Sequence, residues 1–286
     1  MSVITTYEPV PNRIRTLARV VAAAAPLARD ELAEHLMPGS PPKQDQVANI
    51  LREAVRLRIV AETDRKVELA EGIRPRDVAD DAWFEAFVDQ ALFSRVLDER
   101  DDNRAVGFAT AWLLTRPVVP ELEWRSDLAA AMRADLHGDE VYDVTNVDRS
   151  AMLAYWARFA GFAEAMGWNG KRYLVPDPTR AIARQLDHVL PPGSDVPMPR
   201  FLDALAAALA VLEGGAVRTQ VEARLRRPRE AAALSAATSL ALVRLELRGA
   251  ITLRAESDAS PYLRLLEAGG ESPRRVTHIS RPRLRK

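Results

Sequence analysis

The 286-residue chain has no cysteine, which excludes disulfides, thiolate metal sites, iron–sulfur clusters and a cysteine nucleophile. Long apolar runs are also missing. The run Val20–Ala28 carries Pro26 and falls far short of the roughly 20 residues that cross a bilayer. Met1–Pro11 shows no cationic start leading into an apolar stretch, so a cytoplasmic location without a membrane partner is the expectation. Net charge is zero, with 40 Lys and Arg against 40 Asp and Glu. Lysine is scarce: Lys43, Lys66, Lys171 and Lys286 are the whole set. Arginine abundance follows genome base composition as readily as function, so position must decide what the cations do.

Catalytic signatures are absent as well. Gly167-Trp168-Asn169-Gly170-Lys171 lacks the spacing of a phosphate loop. No nucleophile elbow, HExxH or dinucleotide fingerprint occurs. Neither an enzyme nor a cofactor is expected.

What the chain does have is a segregated charge. Residues 11–70 hold 10 basic and 8 acidic side chains, residues 71–150 hold 9 and 18, and residues 196–286 hold 16 and 9. An acidic middle and a basic end point to different partners, since a field of one sign draws its counterpart.

The periodicity predicts a mainly α protein with small β-hairpins, arranged as tandem winged helix-turn-helix units joined by helices. In residues 11–73, Ile14, Leu17, Ala18 and Val21 recur at helical spacing until Pro26. Leu32 and Leu36 mark a second helix, and Val47, Ile50, Leu51, Ala54 and Val55 stripe a third. The period then falls to two: Ile59–Ala61 and Val67–Leu69 read as strands around a turn at 63–66. Three helices and a hairpin are the winged-helix order. A linking helix is expected over Val78–Leu97, within residues 74–100.

Residues 101–190 read as a second unit. Its third helix carries the stripe Met152, Trp156, Phe159, Ala163 and Met166, and Asn169-Gly170 is a strong hairpin signal. Residues 191–199 read as a linker. Residues 200–286 form a third unit with an enlarged wing and a basic end. There, Leu202, Leu205, Leu209 and Leu212 make a helix, Thr219–Glu222 matches a capping box, and a helix runs from about Glu230 to Gly249. Ala250–Leu253 pairs with Val276–Ile279 around a helical insertion at Tyr262–Leu266.

A third helix of this kind can enter the major groove while the wing touches backbone. The outward residues of the first unit would be Lys43, Gln44, Gln46, Asn49, Arg52 and Arg56, with Arg65 and Lys66 at the wing tip. Asp45, Glu53, Glu62 and Asp64 lie on the same elements and repel phosphate. In the last unit Arg226, Arg227 and Arg229 lie before the third helix, and Arg274 and Arg275 flank the last strand, with Arg281, Arg283, Arg285 and Lys286 beyond. Neutralising about six phosphates gives a salt slope of roughly −5 on duplex DNA. The alternative is a solvated surface, or a scaffold whose arginines meet an acidic protein. A third reading is a metal-dependent nuclease using the Asp135, His137, Asp139, Glu140 and Asp143 cluster. The aromatics Trp156, Phe159, Trp168 and Tyr173 read as core rather than as a base-stacking platform.

The run Asn169-Gly170-x-x-Tyr173-Leu174-Val175-Pro176-Asp177-Pro178-Thr179 and the Leu-rich helix entering Gly249-Ala250-Ile251-Thr252-Leu253, with Ser257-Asp258-Ala259 after it, resemble the DpdG family of the bacterial 7-deazapurine DNA-modification cluster. The resemblance implies an accessory subunit of a system that modifies or defends DNA, without catalysis of its own. Its expected partners are double-stranded DNA and other protein subunits, the latter through the acidic middle. The architecture also resembles the tandem winged-helix subunits of chromosome-organising (SMC-type) complexes, whose wings bind protein.

Overall fold

A computed structural model describes residues 3–5, 8–38, 44–230, 232–256, 262–266 and 273–283. The first stretch runs α1 (Pro11–Ala24), β1 (Leu27–Ala28), α2 (Arg29–Leu36), α3 (Gln44–Arg56), β2 (Val60–Thr63) and β3 (Lys66–Leu69). Ile14, Leu17, Ala18 and Val21 of α1 are buried, as the spacing predicts. β2 and β3 form the predicted hairpin, with Val60 opposite Leu69 and Thr63 opposite Lys66. Its turn uses Asp64 and Arg65, both at positive φ (50° and 63°), the pair of left-handed residues that a two-residue hairpin turn requires. A third strand joins it, because β1 pairs with β3.

The expected long linking helix is two helices, α4 (Pro75–Ala79) and α5 (Asp81–Phe93). Asp80 divides them: its carboxylate accepts the free N–H groups of Ala82 and Trp83, so α5 starts afresh at a good cap.

The middle stretch runs α6 (Arg104–Leu113), β4 (Leu122–Glu123), α7 (Leu128–Asp135), α8 (Val147–Phe159), β5 (Ala163–Trp168) and β6 (Lys171–Pro176). Here the sequence reading needs correction, since Ala163 and Met166 lie on a strand rather than on α8. Gly161, at φ 77°, ends the helix. Its N–H reaches the carbonyl of Arg158, and that of Phe162 reaches Ala157, the paired bonds of a left-handed helix end. Asn169 and Gly170 then turn the β5–β6 hairpin at φ 48° and 72°.

The last stretch runs α9 (Thr179–Val189), β7 (Asp195–Pro197), α10 (Met198–Ala208), α11 (Ala216–Glu222), α12 (Ala236–Leu247), β8 (Thr252–Arg254), β9 (Leu263–Leu265), β10 (Arg274–Val276) and β11 (His278–Ser280). Several expectations fail here. Residues 191–199 are not simply a linker, because β7 lies within them and pairs with β11. Pro197 is tolerated there since β7 is an edge strand. Tyr262–Leu266 contains strand β9, paired with β10, instead of a helix. Thr219 caps nothing: it lies inside α11 and donates to the carbonyl of Gly215. α12 begins at Ala236 behind Ser235, whose hydroxyl accepts from the Thr238 N–H. α9, expected to close the middle unit, packs on α10 and α12.

Among the described residues the protein is therefore mixed, with twelve helices and small antiparallel sheets of two or three strands. The three-stranded sheets share one order. In β1-β3-β2, β4-β6-β5 and β7-β11-β8, the earliest strand takes the outer place beside the returning strand, with two helices between β1 and β2 and between β4 and β5 but three between β7 and β8. The helix before each hairpin, or before β8, also ends alike. Arg58, Gly161 and Gly249 each adopt positive φ (57°, 77° and 69°), and the next residue's N–H reaches back five residues, to Ala54, Ala157 and Leu245. Buried apolar side chains from Val3 to Ile279 form one contiguous core.

Arg58 holds a conformation that glycine adopts without steric cost. Arg58→Gly is expected to stabilise the protein by about 1 kcal/mol in chemical denaturation; a loss of stability would show that the arginine side chain compensates its own strain.

Candidate nucleic-acid interface

The basic loop after α11 is held on the middle stretch by backbone. The Arg226 N–H donates to the Asp135 carbonyl (2.8 Å), and the His137 N–H donates to the Arg224 carbonyl (2.7 Å), bridging Leu136 to Leu225. Arg226 and Arg227 stay exposed and have no carboxylate partner among the described contacts. Their neighbours behave differently. Arg224 pairs with Glu140. Arg229 is half-buried, lies 3.5 Å from Glu222, and donates to the Ala233 carbonyl.

On α3 the expected outward face is partly occupied. Arg56 turns inward, 3.1 Å from Glu53, and donates to Asn103. Glu53 is buried; that burial raises its pKa, and Arg56 and Arg52 only partly offset it. Asn49 donates to Glu8 and accepts from Arg52, while Gln46 is half-buried. Lys43 lies outside the described residues, and Gln44 opens α3. At the hairpin tip Arg65 and Lys66 are exposed with no described partner. In the last stretch Arg274 pairs with Glu246 (2.5 Å) and donates to the Leu253 carbonyl. Arg274 and a backbone bond from Leu253 hold the Glu246 carboxyl below its ordinary range against partial burial. Arg275 lies 4.4 Å over the Tyr262 ring, and Arg281 pairs with Asp187. Ser257–Ala259, Arg285 and Lys286 lie outside the described residues.

The structure thus leaves Arg65, Lys66, Arg226 and Arg227 presented to solvent and engages Asn49, Arg52, Arg56, Arg229, Arg274 and Arg275 internally. Sequence reasoning missed Arg58, exposed where α3 meets the hairpin; a non-glycine residue at a helix end carries no local signal.

The acidic cluster is built differently from a metal centre. Asp135 accepts from the Trp112 indole (3.0 Å) and is clasped by Arg116 (2.8 and 2.9 Å). Glu140 belongs to Arg224. Among the described residues no group of three His, Asp or Glu side chains is placed to hold a metal ion. Asp177 also has a structural post: it accepts from the Thr179 N–H and pairs with Arg244 of α12.

A family model described as DpdG-like matches residues 1–259. The chain belongs to the DpdG-like family. That membership fits a component of a DNA-modification cluster. No curated protein and no solved structure matches. The DpdG-like match takes in the three helix ends and the loop at 224–229 and stops before β9, so Arg274 and Arg275 fall beyond it.

One buried pair makes this DpdG-like chain sensitive to pH. Asp89 of α5 and Glu85 both meet Arg184 of α9, which also donates to the Ala160 carbonyl. Burial pushes the Asp89 carboxyl up to about 7 despite Arg184, with Glu85 adding to the rise. The folded protein therefore keeps this proton to higher pH than the unfolded chain does. The resulting stability is fully present below the ordinary aspartate value of 3.8 and is lost as pH rises through about 7. Between pH 5 and 8 the stability of Asp89→Asn is expected to fall by about 1–2 kcal/mol less than wild type, read from urea unfolding; parallel profiles would refute it.

Proposed function

We propose that this chain is a non-catalytic, DNA-binding accessory subunit of a bacterial DNA-modification or defence system, built from three winged helix-turn-helix units. The order helix, strand, two helices and hairpin in the first and middle stretches supports the winged-helix reading, and the last stretch, with one helix more, shares their sheet order and helix end. The observation that carries DNA contact is the exposure of Arg226 and Arg227 on a loop whose backbone is fixed to α7. Fixed loops before a third helix, and hairpin tips such as Arg65-Lys66, are where backbone phosphates approach such units. Contact of this kind fixes position without reading bases, so tight sequence preference is not part of the proposal.

Four presented cations contribute less than six. Duplex affinity of the full chain, measured from 50 to 300 mM salt, is expected to give a log–log slope of roughly −3 to −4 at about 0.9 per phosphate. A slope near zero would leave the second reading, a protein–protein scaffold as in SMC-type complexes. The capture of Arg56, Arg224, Arg229 and Arg274 by the chain's own carboxylates favours that reading. An acidic cleft of about 540 Å³ between Glu99–Ala105 and Glu140–Thr145 is the surface it would offer a basic partner.

A further inference from the structure

The β5–β6 hairpin carries an indole that the fold does not use. Trp168 is 52% exposed and Met166 40%, whereas Trp112, Trp124 and Trp156 are buried and Trp83 stacks on Phe87. The register sets Trp168 opposite Lys171 and Met166 opposite Tyr173, so these four side chains share one face of the hairpin. The Trp168 and Tyr173 rings lie 6.3 Å apart, tilted by 52°, too splayed to cover one another. Lys171 rests on Glu123, an exposed pair of the kind worth little in water, and can exchange it for another anion. On the opposite face Arg172 and Arg158 lie 5.1 and 5.5 Å from the Trp124 ring, with no carboxylate partner among the described contacts. The Arg158 Nε is buried and unbonded.

We propose that this hairpin tip is a stacking site for an unpaired nucleobase, Trp168 supplying the platform and Lys171 and Arg172 meeting the flanking phosphates. The inference rests on the DNA-binding reading but names a different ligand, single-stranded rather than duplex. An exposed π-face with an exchangeable Lys171 on the same face, and Arg172 without a carboxylate at the same tip, is the chemistry that holds single strands regardless of sequence. Three side chains on one tip also fall well short of the roughly 800 Å² per side that a stable protein interface needs. A base fits that footprint; a protein partner does not.

The test uses the full chain with a 20-nucleotide oligothymidylate and, separately, a blunt duplex. Trp168→Ala and Trp168→Leu are expected to bind the oligothymidylate about 5- to 100-fold more weakly and the duplex within about two-fold of wild type. Trp168→Phe, which keeps a ring, is expected to retain binding. Because Trp168 is exposed, all three variants should keep the wild-type circular dichroism. Wild-type single-strand affinity in the Ala and Leu variants would overturn the proposal, whatever the duplex result. Duplex binding by a wild type that ignores oligothymidylate would overturn it while leaving the DNA-binding reading intact; failure to bind either would remove both. Self-association that Trp168→Ala abolishes, with oligothymidylate binding unchanged, would assign the tip to a second copy of the chain and overturn it too.

Discussion

Replacing Arg218 by methionine is expected to cost about 3–5 kcal/mol of stability, the range for removing one member of a buried charged network. Arg218 is 1% exposed and sits where α11 crosses α6. One guanidinium N–H donates to the Ala111 carbonyl, among the last four carbonyls of α6 that lack an intrahelical partner. Another donates to Glu222 at 2.8 Å. Its charge also serves Glu213, whose carboxylate accepts from the Ser235 N–H (2.7 Å) and the Thr238 hydroxyl at the start of α12. Burial alone would raise the Glu213 carboxyl; Arg218 and those hydrogen bonds outweigh it and hold the group below its ordinary range. Losing the arginine strands a carboxylate and a carbonyl together.

Glu213→Gln added to Arg218→Met is expected to recover part of the loss, because the uncompensated charge disappears. Urea unfolding of the four proteins in the cycle measures both effects. Additive losses would contradict a shared network. The same residues join the middle stretch to the last one, so the expected collapse is of the α6–α11–α12 junction rather than of the first stretch.

How much of this was legible follows from the range of each interaction. The hairpins at Asp64-Arg65 and Asn169-Gly170 were readable because a turn and a change of period are local signals. β1, β4 and β7 were not, since two or three residues carry no measurable alternation and owe their state to a partner strand far away in sequence. The stripe through Met152, Trp156, Phe159, Ala163 and Met166 misled because helical spacing continued by chance across Gly161, whose left-handed turn ends α8.

For the candidate interface the gap is wider. Charge counts see arginines but not their partners. Arg56 and Arg274 resemble Arg226 and Arg227 in sequence, yet the first two face Glu53 and Glu246 while the other two ride on a loop pinned by its backbone. Trp168 read as core because aromatics are usually buried; only its place beside the Asn169-Gly170 turn puts it outside.

The reversal Arg226→Glu with Arg227→Glu is the most direct test of DNA contact. Both side chains are exposed and the loop is anchored through main-chain atoms, so the double variant should fold as wild type does. The account predicts at least ten-fold weaker duplex binding near 100 mM salt for every sequence tried, with a salt slope shallower by roughly two. Wild-type affinity and slope in that variant would contradict it and leave the scaffold reading.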